Sequence, residues 1–312
     1  MQQIDAATTR RHLPMPALID ALRTLFISGC EVPLRGTHRI GADGTLLVMP
    51  AWREGRRLGV KAVTIFPGNT AQGLPGLHSV YLLFDARTGV PLAQLDGNEI
   101  TSRRTAAASA LAASHLARPD ARRLLVVGSG RVAALLPEAI GSVRPIDQVM
   151  VWNHRPESAE RLAERWRRDG LPAQAVHDLA GAVAGADIVS CATLSSAVLV
   201  RGEWLRPGVH LDLIGSFTPR MREADAACFA ASRVFVDTDE ALAKSGDILE
   251  AIAAGGFATD RLQGTLAQLC AGSRPGRIDA AERTLFKSVG TALEDLAAAE
   301  LVVDAVQRER AA

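Results

Sequence analysis

The chain has 312 residues, 48% of them hydrophobic, and its 35 basic and 34 acidic residues leave a formal net charge of +1. This length accommodates two ordinary domains or one large α/β unit, with enough apolar residues for a sizeable core. The near balance of charge, without any block of like charge, gives no electrostatic basis for binding nucleic acid or an anionic membrane.

The spacing of the cysteines indicates whether the chain binds a metal ion, and its first residues indicate its cellular location. The 4 cysteines are scattered, without a Cys-x-x-Cys pair or a histidine at zinc-binding spacing. We therefore expect free thiols in a reducing compartment and no metal site. The first residues lack the pattern of a signal peptide, and no apolar run is long enough to span a bilayer. These absences favour a cytoplasmic location by default.

The first part of the chain is predicted to be an α+β domain. Helical periodicity covers residues 16–28, and four short apolar runs follow, separated by turns of Gly, Pro, Asp and Asn. The runs are 44–49, 59–66, 79–85 and 91–95. Closely spaced strands with short turns are typical of a mostly antiparallel sheet. Thr101 is then the expected N-cap of an Ala-rich helix that ends near Leu116.

Within the second of these runs, Lys61 is the most informative residue. The chain uses arginine almost everywhere for positive charge, and its only other lysines are Lys244 and Lys287. A lysine ammonium is a compact charge whose pKa changes on burial, whereas a guanidinium stays charged. Buried charges are rarely left unpaired, so this lysine indicates a functional site. The alternative is a lysine that extends from a strand end into solvent.

After residue 118 strands alternate with helices, which is typical of a parallel sheet with right-handed crossovers. The strands expected are 123–127, 148–152, 187–191, 209–214 and 233–236, with helices over about 131–140, from Pro156, and over about 283–310. We therefore predict an α/β chain in which a Rossmann-type doubly wound parallel sheet is joined to an α+β domain. The first domain covers 1–118, joined by the terminal helix at about 296–312, and the second covers 119–295.

The glycines after the first of these strands predict a dinucleotide site. Gly128 permits a tight turn, Gly130 lets the backbone approach a pyrophosphate, and Ala133 fills the third small position. This pattern alone is weak, but here a strand precedes it and a second strand follows in register. The other expected cofactor contacts of this turn are Ser129, Arg131 and Val132.

The end of the second strand favours NADPH over NADH. An NAD enzyme usually has Asp or Glu here to hold the ribose 2′-hydroxyl, and this chain has Asn153, His154 and Arg155 instead. A guanidinium can hold a 2′-phosphate through charge-assisted hydrogen bonds. The alternative is that Arg155 is a solvated residue before the next helix, and NADH remains a weaker cofactor.

The nicotinamide end of the cofactor is expected at the carboxyl ends of further strands, where ligands of such folds bind. The residues expected there are Cys191, Ala192, Thr193, Ile214 and Gly215, and further cofactor contacts are expected from Ser79, Ser216 and Ser288.

Two arginines join Lys61 as candidates for binding an anionic substrate. Arg35 follows Val32-Pro33-Leu34, and the helix predicted to start at Thr101 puts Arg104 in its first turn. A cation there opposes the helix dipole, so it needs another reason, such as a bound carboxylate. A solvated surface arginine is the alternative, which suits Arg103 better than Arg104.

Several motifs resemble the ornithine cyclodeaminase/μ-crystallin family, over nearly the whole chain. They are residues 47–50, 95–107, the Gly-Ser-Gly turn, 245–247 and 285–290. The resemblance implies a homodimer whose first domain binds substrate and forms the dimer interface, and whose second is a Rossmann domain. It implies that Arg35 and Arg104 hold a substrate carboxylate and that Lys61 lies beside the reacting carbon and nitrogen. Met49, in the first motif, is a further expected substrate contact.

A departure at Phe217 indicates a branch of the family. Cyclodeaminases carry an acidic residue at this position, and a phenyl ring cannot accept a proton. The pattern Gly-Ser-Phe-Thr-Pro-x-Met-Arg-Glu instead resembles the family's ketimine reductases. The resemblance implies an oxidoreductase that uses NADPH to reduce small cyclic imino-carboxylates: Δ1-pyrroline-2-carboxylate to L-proline, and Δ1-piperideine-2-carboxylate to L-pipecolate.

Lys61 is the expected catalytic residue, as a donor of the imine proton if burial lowers its pKa. His78, just before the third strand, is a second candidate proton donor. Two rival functions stay open. One is an ornithine cyclodeaminase or amino-acid dehydrogenase of the same family. The other is a non-catalytic NADPH-binding protein, which the μ-crystallin resemblance permits.

Overall fold

The computed structural model describes residues 1–311, except for the side chain of Thr70. The strands are β1 (Gln2–Ile4), β2 (Gly36–Ile40), β3 (Gly44–Trp52), β4 (Arg57–Ile65), β5 (Leu77–Asp85), β6 (Pro91–Asp96), β7 (Arg123–Val127), β8 (Gln148–Trp152), β9 (Ala173–Ala175), β10 (Ile188–Cys191), β11 (His210–Leu213), β12 (Arg233–Val236), β13 (Leu262–Thr265) and β14 (Thr284–Lys287). The α-helices are α1 (Ala6–Arg11), α2 (Met15–Ser28), α3 (Gly97–Leu116), α4 (Leu136–Gly141), α5 (Pro156–Arg168), α6 (Leu179–Gly185), α7 (Ala226–Ala230), α8 (Glu240–Lys244), α9 (Gly246–Ala253), α10 (Leu266–Cys270) and α11 (Ala292–Ala311).

The chain divides into two compact units, which we call unit 1 and unit 2. Unit 1 comprises Met1–Arg104 and the chain from Thr291 onward, and unit 2 comprises Thr105–Gly290. The sequence placed these boundaries after residues 118 and 295. The first boundary differs because α3 is one continuous helix that contributes its first two turns to unit 1 and the rest to unit 2.

Unit 1 is built on a six-stranded sheet in the order β1-β6-β5-β4-β3-β2, antiparallel except for the pairing of β1 with β6. Helices α2 and α11 pack together, and α11 also contacts β3 and β4. Helix α2 buries Leu18, Leu22 and Leu25 because this spacing puts them on one face. On the sheet, Met49, Lys61 and Tyr81 are direct cross-strand neighbours, so they share the face that α11 covers.

Unit 2 contains an eight-stranded sheet in the order β13-β12-β14-β11-β10-β7-β8-β9, with every pairing parallel. The chain proceeds from β7 outward to β9, then returns to β10 on the other side of β7. The order therefore reverses between β7 and β10, the switch point at which such sheets bind ligands. This confirms the predicted fold class of a Rossmann-type doubly wound sheet together with an α+β unit.

Three predicted elements differ from the structure, the first two for a local reason. Helix α3 begins at Gly97 rather than near Thr101, because the Asp96 side chain accepts the Glu99 N–H as an N-cap. The helix expected over 131–140 begins as a 3-10 turn at Ala133 and becomes α-helical only at Leu136. Pro137 explains this, because it has no N–H to donate to the Ala133 carbonyl.

The third difference lies near the chain end, where a continuous helix was expected over about 283–310. The structure has a strand, β14, before the helix α11 begins at Ala292. Strand β14 is completely buried between β11 and β12, in the middle of the unit 2 sheet. Pairing with two neighbouring strands outweighs local helix propensity in a segment this short.

Candidate functional site

In unit 1 the buried Lys61 lies within a cluster of four charged side chains. Its Nζ atom is 2.7 Å from Asp295 Oδ2, and its side chain is 2% exposed. Arg104 donates from Nε to Asp295 Oδ1 at 2.9 Å and from Nη1 to Glu294 Oε2 at 2.5 Å. The Asp295 carboxylate therefore lies between two cations, and the cluster contains as many carboxylates as cations.

The environment of Lys61 changes its protonation. Burial lowers the pKa of Lys61 to about 8, against the opposing effect of the Asp295 carboxylate. Burial alone would raise the pKa of Asp295, but the charges of Arg104 and Lys61 hold it below its usual value. An ammonium with a pKa near neutrality can both hold and release a proton under ordinary conditions, which is what a general acid requires.

Local sequence explains how a lysine fits under helix α11. Glu294 and Asp295 lie in the first turn of that helix, where its dipole stabilises carboxylates. Gly59, two residues before Lys61, makes room for Tyr81, because a Cβ atom at this glycine would lie 1.8 Å from the Tyr81 hydroxyl oxygen. The cluster therefore depends on the start of a helix far along the chain, and Gly59 allows Tyr81 to pack beside Lys61.

Two of the other predicted substrate residues of unit 1 lie close to Lys61. Met49 is buried and is the direct cross-strand partner of Lys61. Arg35 is half-buried and directly precedes Gly36, the residue that pairs with Val48, so it lies next to the Met49–Lys61 row.

Two further predicted residues, His78 and Ser79, are neighbours on β5. His78 is exposed, and as the partner of Thr64 it belongs to the opposite face of the sheet from Lys61. The structure therefore does not bring the second candidate proton donor to Lys61. Ser79, expected to contact the cofactor, lies in unit 1 and donates to Asn98 Oδ1 at 3.1 Å.

The expectation for the two arginines of α3 needs correction. Because α3 begins at Gly97, Arg104 lies beyond its first turn, so the dipole argument for a bound carboxylate does not apply. The carboxylates that Arg104 contacts are the protein's own. Arg103 is not a solvated residue either, because it is 6% exposed and donates to the Leu13 carbonyl at 2.7 Å.

In unit 2 the glycine turn has the geometry that a dinucleotide requires. Gly128 has a φ of +116°, and a Cβ atom there would lie 2.5 Å from the Ala192 carbonyl oxygen. At Gly130 an added Cβ atom would meet no atom within 4 Å, so the space over the turn is open. The turn joins β7 at the switch point. These residues fit a bound pyrophosphate.

The end of β8 is tied to this turn by Asn153. Its side chain donates to Ser129 Oγ at 2.9 Å and accepts the Arg155 backbone N–H at 2.9 Å. Arg131, His154 and Arg155 are exposed around it. The residues predicted for this part of the cofactor site therefore lie together. Arg131 and Arg155 supply two guanidinium groups, and the residues that directly follow β8 include no carboxylate.

The loops that follow β10 and β11 form the other predicted part of the cofactor site. Cys191 and Ile214 are buried at the two strand ends and joined by a backbone hydrogen bond of 2.9 Å. Ser288, after β14, donates its N–H to the Leu213 carbonyl, and the Ser216 hydroxyl donates to the Met221 carbonyl.

Sequence reasoning gave no role to a second buried charge cluster, at these same strand ends. Its members are Glu223, Asp247 and Lys287, all almost fully buried. Glu223 accepts hydrogen bonds from Thr193 and Gly215, and Lys287 Nζ lies 3.3 Å from Asp247 Oδ2. The rarity of lysine in the chain could have identified Lys287 as a candidate site residue.

In the unit 1 cluster, Glu294 and Asp295 were missed as well, because nothing local in the sequence connects them to Lys61.

Phe217, the residue that favoured the reductase branch, is half-buried and packs against the apolar core of unit 2.

Within residues 1–311 no group of three or more His, Cys, Asp or Glu side chains could hold a metal ion. In the same described part of the chain, every helix is too short or too polar to cross a membrane.

Comparison with known proteins gives consistent matches. The family model described as "Ornithine cyclodeaminase/mu-crystallin family" matches residues 11–310. A Delta(1)-pyrroline-2-carboxylate reductase of Paracoccus denitrificans is 44% identical over 266 residues, which are 83% of this chain and 83% of that protein.

Solved structures of other proteins are similar to this one over 99% of the chain. The Delta(1)-pyrroline-2-carboxylate reductase of Thermococcus litoralis, in complex with NADH and L-proline, has a TM-score of 0.95 at 32% identity and covers 99% of this chain and 98% of that one. An archaeal alanine dehydrogenase dimer with bound NAD has a TM-score of 0.93 at 27% identity, with 99% and 97% covered.

Proposed function

Because the chain belongs to the ornithine cyclodeaminase/mu-crystallin family, we propose that it is an NAD(P)H-dependent oxidoreductase that reduces the C=N bond of a small cyclic imine bearing a carboxylate. The observation that carries this proposal is the buried Lys61–Asp295–Arg104 cluster in a chain that also has an open glycine turn at a Rossmann switch point. Binding a dinucleotide does not by itself require a buried proton donor such as Lys61.

The proposed substrates are Δ1-pyrroline-2-carboxylate, which gives L-proline, and Δ1-piperideine-2-carboxylate, which gives L-pipecolate. The first is supported by the name of the Paracoccus relative and by the L-proline bound in the Thermococcus structure. The second differs from it by one methylene, and a single methylene changes binding by only about 1–3 kcal/mol in an apolar pocket. We therefore expect both rings to react.

In the proposed mechanism the residues of unit 1 bind the substrate and supply a proton. When bound, the reduced dinucleotide supplies the hydride that C2 of the ring accepts. Arg35 and Arg104 hold the ring carboxylate, Arg104 with the part of its guanidinium that does not already donate to Asp295 and Glu294, and Met49 packs against the ring. Lys61 donates a proton to the imine nitrogen, which is consistent with its pKa of about 8. Holding the ring in one orientation supplies much of the rate.

The rival functions are less well supported. A cyclodeaminase needs an acidic residue where Phe217 packs against the core. An amino-acid dehydrogenase shares the fold, as the archaeal alanine dehydrogenase does, and differs in the substrate that it oxidises. Oxidation of an open-chain amino acid with NAD would therefore distinguish it from a cyclic imine reductase.

NADPH is the proposed cofactor, with NADH as a weaker alternative. Asn153 in place of a carboxylate removes the repulsion of a 2′-phosphate, and the exposed Arg131 and Arg155 offer donors for it. The solved structures compared above hold NADH or NAD. The ratio of kcat/KM for NADPH and NADH therefore tests a property of this chain's own residues.

A homodimer formed through unit 1 is also proposed. The face of the unit 1 sheet opposite Lys61 is apolar and only partly buried. The residues that make it so are Val48, Pro50, Val60, Ala62, Val80 and Leu82. Exposed apolar areas of this kind usually mark an interface. A second copy is the proposed partner because the alanine dehydrogenase of the same fold is a dimer. Unit 1 is thus the proposed substrate-binding and dimerisation domain. A cytoplasmic location stays a prediction.

One assay tests the proposed reaction directly. Purified protein is mixed with NADPH and each cyclic imine, and the loss of reduced nicotinamide absorbance is followed. A parallel reaction contains ornithine and NAD+, with ammonia as the readout. We expect oxidation of NADPH with both rings and no ammonia. Ammonia release without imine reduction would show that the protein is a cyclodeaminase.

A further inference from the structure

A buried carboxylate in unit 2 connects the two loops expected to receive the nicotinamide end of the cofactor. Glu223 is 0% exposed. Its Oε1 atom accepts the Thr193 backbone N–H and the Thr193 hydroxyl, both at 2.7 Å. Its Oε2 atom accepts the Gly215 N–H at 2.6 Å. One carboxylate therefore joins the loop after β10 to the loop after β11.

The close fit of these loops makes the connection specific. A Cβ atom at Gly215 would lie 2.0 Å from the Thr193 carbonyl oxygen and 2.4 Å from Glu223 Oε1. Only glycine allows the backbone to approach the carboxylate this closely. The two loops can approach each other this closely because Glu223 accepts hydrogen bonds from both of them and because Gly215 has no side chain.

Glu223 is itself held rigidly. Its backbone N–H donates to Asp247 Oδ1 at 2.7 Å, and its carbonyl accepts the N–H groups of Leu199 and Val200 at 2.9 Å. Asp247 is paired in turn with the buried Lys287. The carboxylate is thus a fixed acceptor for three donors, an arrangement that favours its ionised form.

Proton binding would disturb this arrangement. The backbone N–H groups of Thr193 and Gly215 can only donate, so a proton on either carboxylate oxygen would compete with one of them, although the Thr193 hydroxyl could also accept. Burial raises the pKa of Glu223 to about 7, with Lys287 opposing the rise and Asp247 adding to it. Cys191 is the other titratable group facing Glu223, and burial raises its pKa well above the usual value. Near neutral pH the Glu223 carboxylate is therefore expected to change charge, whereas the Cys191 thiol is not.

We propose that Glu223 is a positioning residue for the dinucleotide: its ionised carboxylate holds the loops after β10 and β11 in the arrangement that binds the nicotinamide end, and protonation of Glu223 releases them. This rests on the proposed function, because it assumes that unit 2 binds a dinucleotide. It predicts that cofactor affinity falls as the pH is lowered through neutrality.

The first test is the dissociation constant of the unmodified protein for NADH, measured by nicotinamide fluorescence at pH 6 and pH 8. NADH is used beside NADPH because a 2′-phosphate itself titrates near pH 6. With a pKa of about 7 the ionised fraction of Glu223 falls about tenfold from pH 8 to pH 6, so binding should weaken by about fivefold to tenfold at the lower pH. Equal affinity for NADH at both pH values would overturn the inference. Absence of NADH and NADPH binding at any pH would instead overturn the proposed function.

The second test uses Glu223→Gln, which keeps the shape but removes one acceptor. Its affinity for NADH at pH 8 should resemble that of the unmodified protein at pH 6, and should no longer depend on pH. Asp212→Asn is the matched control, since Asp212 is an equally buried carboxylate whose partners are Ser109 and Ser190. The control should keep the pH dependence, although burial also raises the pKa of Asp212, to about 6. Loss of the pH dependence in Asp212→Asn, or its persistence in Glu223→Gln, would contradict the assignment.

A third variant guards against misfolding of Glu223→Gln. Thr193→Val removes one donor to Glu223 and leaves its charge intact. It should weaken NADH binding at pH 8 while keeping the dependence on pH, because the carboxylate still titrates. Unchanged affinity in this variant would show that the connection between the loops does not position the cofactor.

Discussion

Replacing Asp295 by asparagine should lower the pKa of Lys61 and thereby slow imine reduction. The Asp295 carboxylate lies 2.7 Å from Lys61 Nζ and favours the ammonium form, against burial, which disfavours it. Asparagine has nearly the same shape but no charge. The Lys61 ammonium would then keep the cost of burial and lose its nearest compensating anion, while Arg104 would remain as a repelling cation.

The size of the effect follows from the starting pKa of about 8. An opposite charge at contact distance shifts a pKa by about 1–3 units. Because Glu294 remains as a second nearby anion, we expect the lower part of this range, and a fall of about 1–2 units would reduce the protonated fraction of Lys61 at pH 8 from about one half to between about 10% and 1%. If Lys61 supplies the imine proton, kcat/KM at pH 8 should fall about 5-fold to 50-fold. For the unmodified protein, raising the pH from 7 to 9 should lower kcat/KM about 10-fold.

Lysine NMR can measure this pKa independently of activity, because the chain has only three lysines, Lys61, Lys244 and Lys287. Protein labelled at the lysine side chains gives few signals, and Lys61→Met identifies the signal of interest. Glu300→Gln is the control: it removes the same charge from the same helix, but from a carboxylate paired with Arg53. If Lys61 titrates at the same pH or higher in Asp295→Asn, Asp295 does not set its protonation. If the pKa falls but the pH–rate profile does not follow, Lys61 is not the proton donor.

Three further predictions concern the cofactor site and the interface. Asn153→Asp restores a carboxylate after β8, so KM for NADPH should rise about 10-fold relative to NADH; an unchanged ratio of the two constants would contradict the proposed preference. Gly130→Ala should bind dinucleotide more weakly but unfold at an unchanged temperature. Gly128→Ala should bind dinucleotide more weakly and also lose about 1–3 kcal/mol of folding free energy because of the positive φ at this position, so it should unfold at a lower temperature. Thermal unfolding and fluorescence titration distinguish these two outcomes. Val60→Asp, on the open face of the unit 1 sheet, should convert a dimer to a monomer in light scattering, and a dimer that persists would place the interface elsewhere.

The elements that the sequence predicted well are those with strong local signals. The alternation of strands and helices after residue 118 gave the doubly wound sheet, and the glycine pattern gave the turn at Gly128. Strands β1, β2, β9, β13 and β14 were not predicted, although β10, β11 and β12, which at four residues are as short as β13 and β14, were. Segments this short carry little periodicity, and their structure is decided by the neighbouring strands with which they pair.

The partners of the predicted site residues were not available from the sequence. The composition of β4 identified Lys61 as unusual, but the ion-pair partner Asp295 comes from a helix at the other end of the chain. Likewise Glu223 lies in a family motif, yet its role depends on the approach of Thr193 and Gly215 from two different strand ends. Such contacts depend on tertiary structure, which local patterns do not specify.

The charge balance of the unit 1 cluster alters how the proposed chemistry works. On sequence grounds Arg35, Lys61 and Arg104 form a strongly positive site, and a positive site would repel the iminium cation that is reduced most readily. In the structure the charges of Lys61 and Arg104 are balanced by Glu294 and Asp295. The iminium that forms when Lys61 protonates the ring nitrogen therefore does not face an excess of positive charge, and this proton transfer leaves the net charge of the site and the bound ring unchanged. Because the balance depends on all four groups, removing Arg104 alone would leave a buried carboxylate uncompensated, at a cost of about 3–5 kcal/mol, and loss of activity in Arg104→Ala would therefore not prove contact with the substrate.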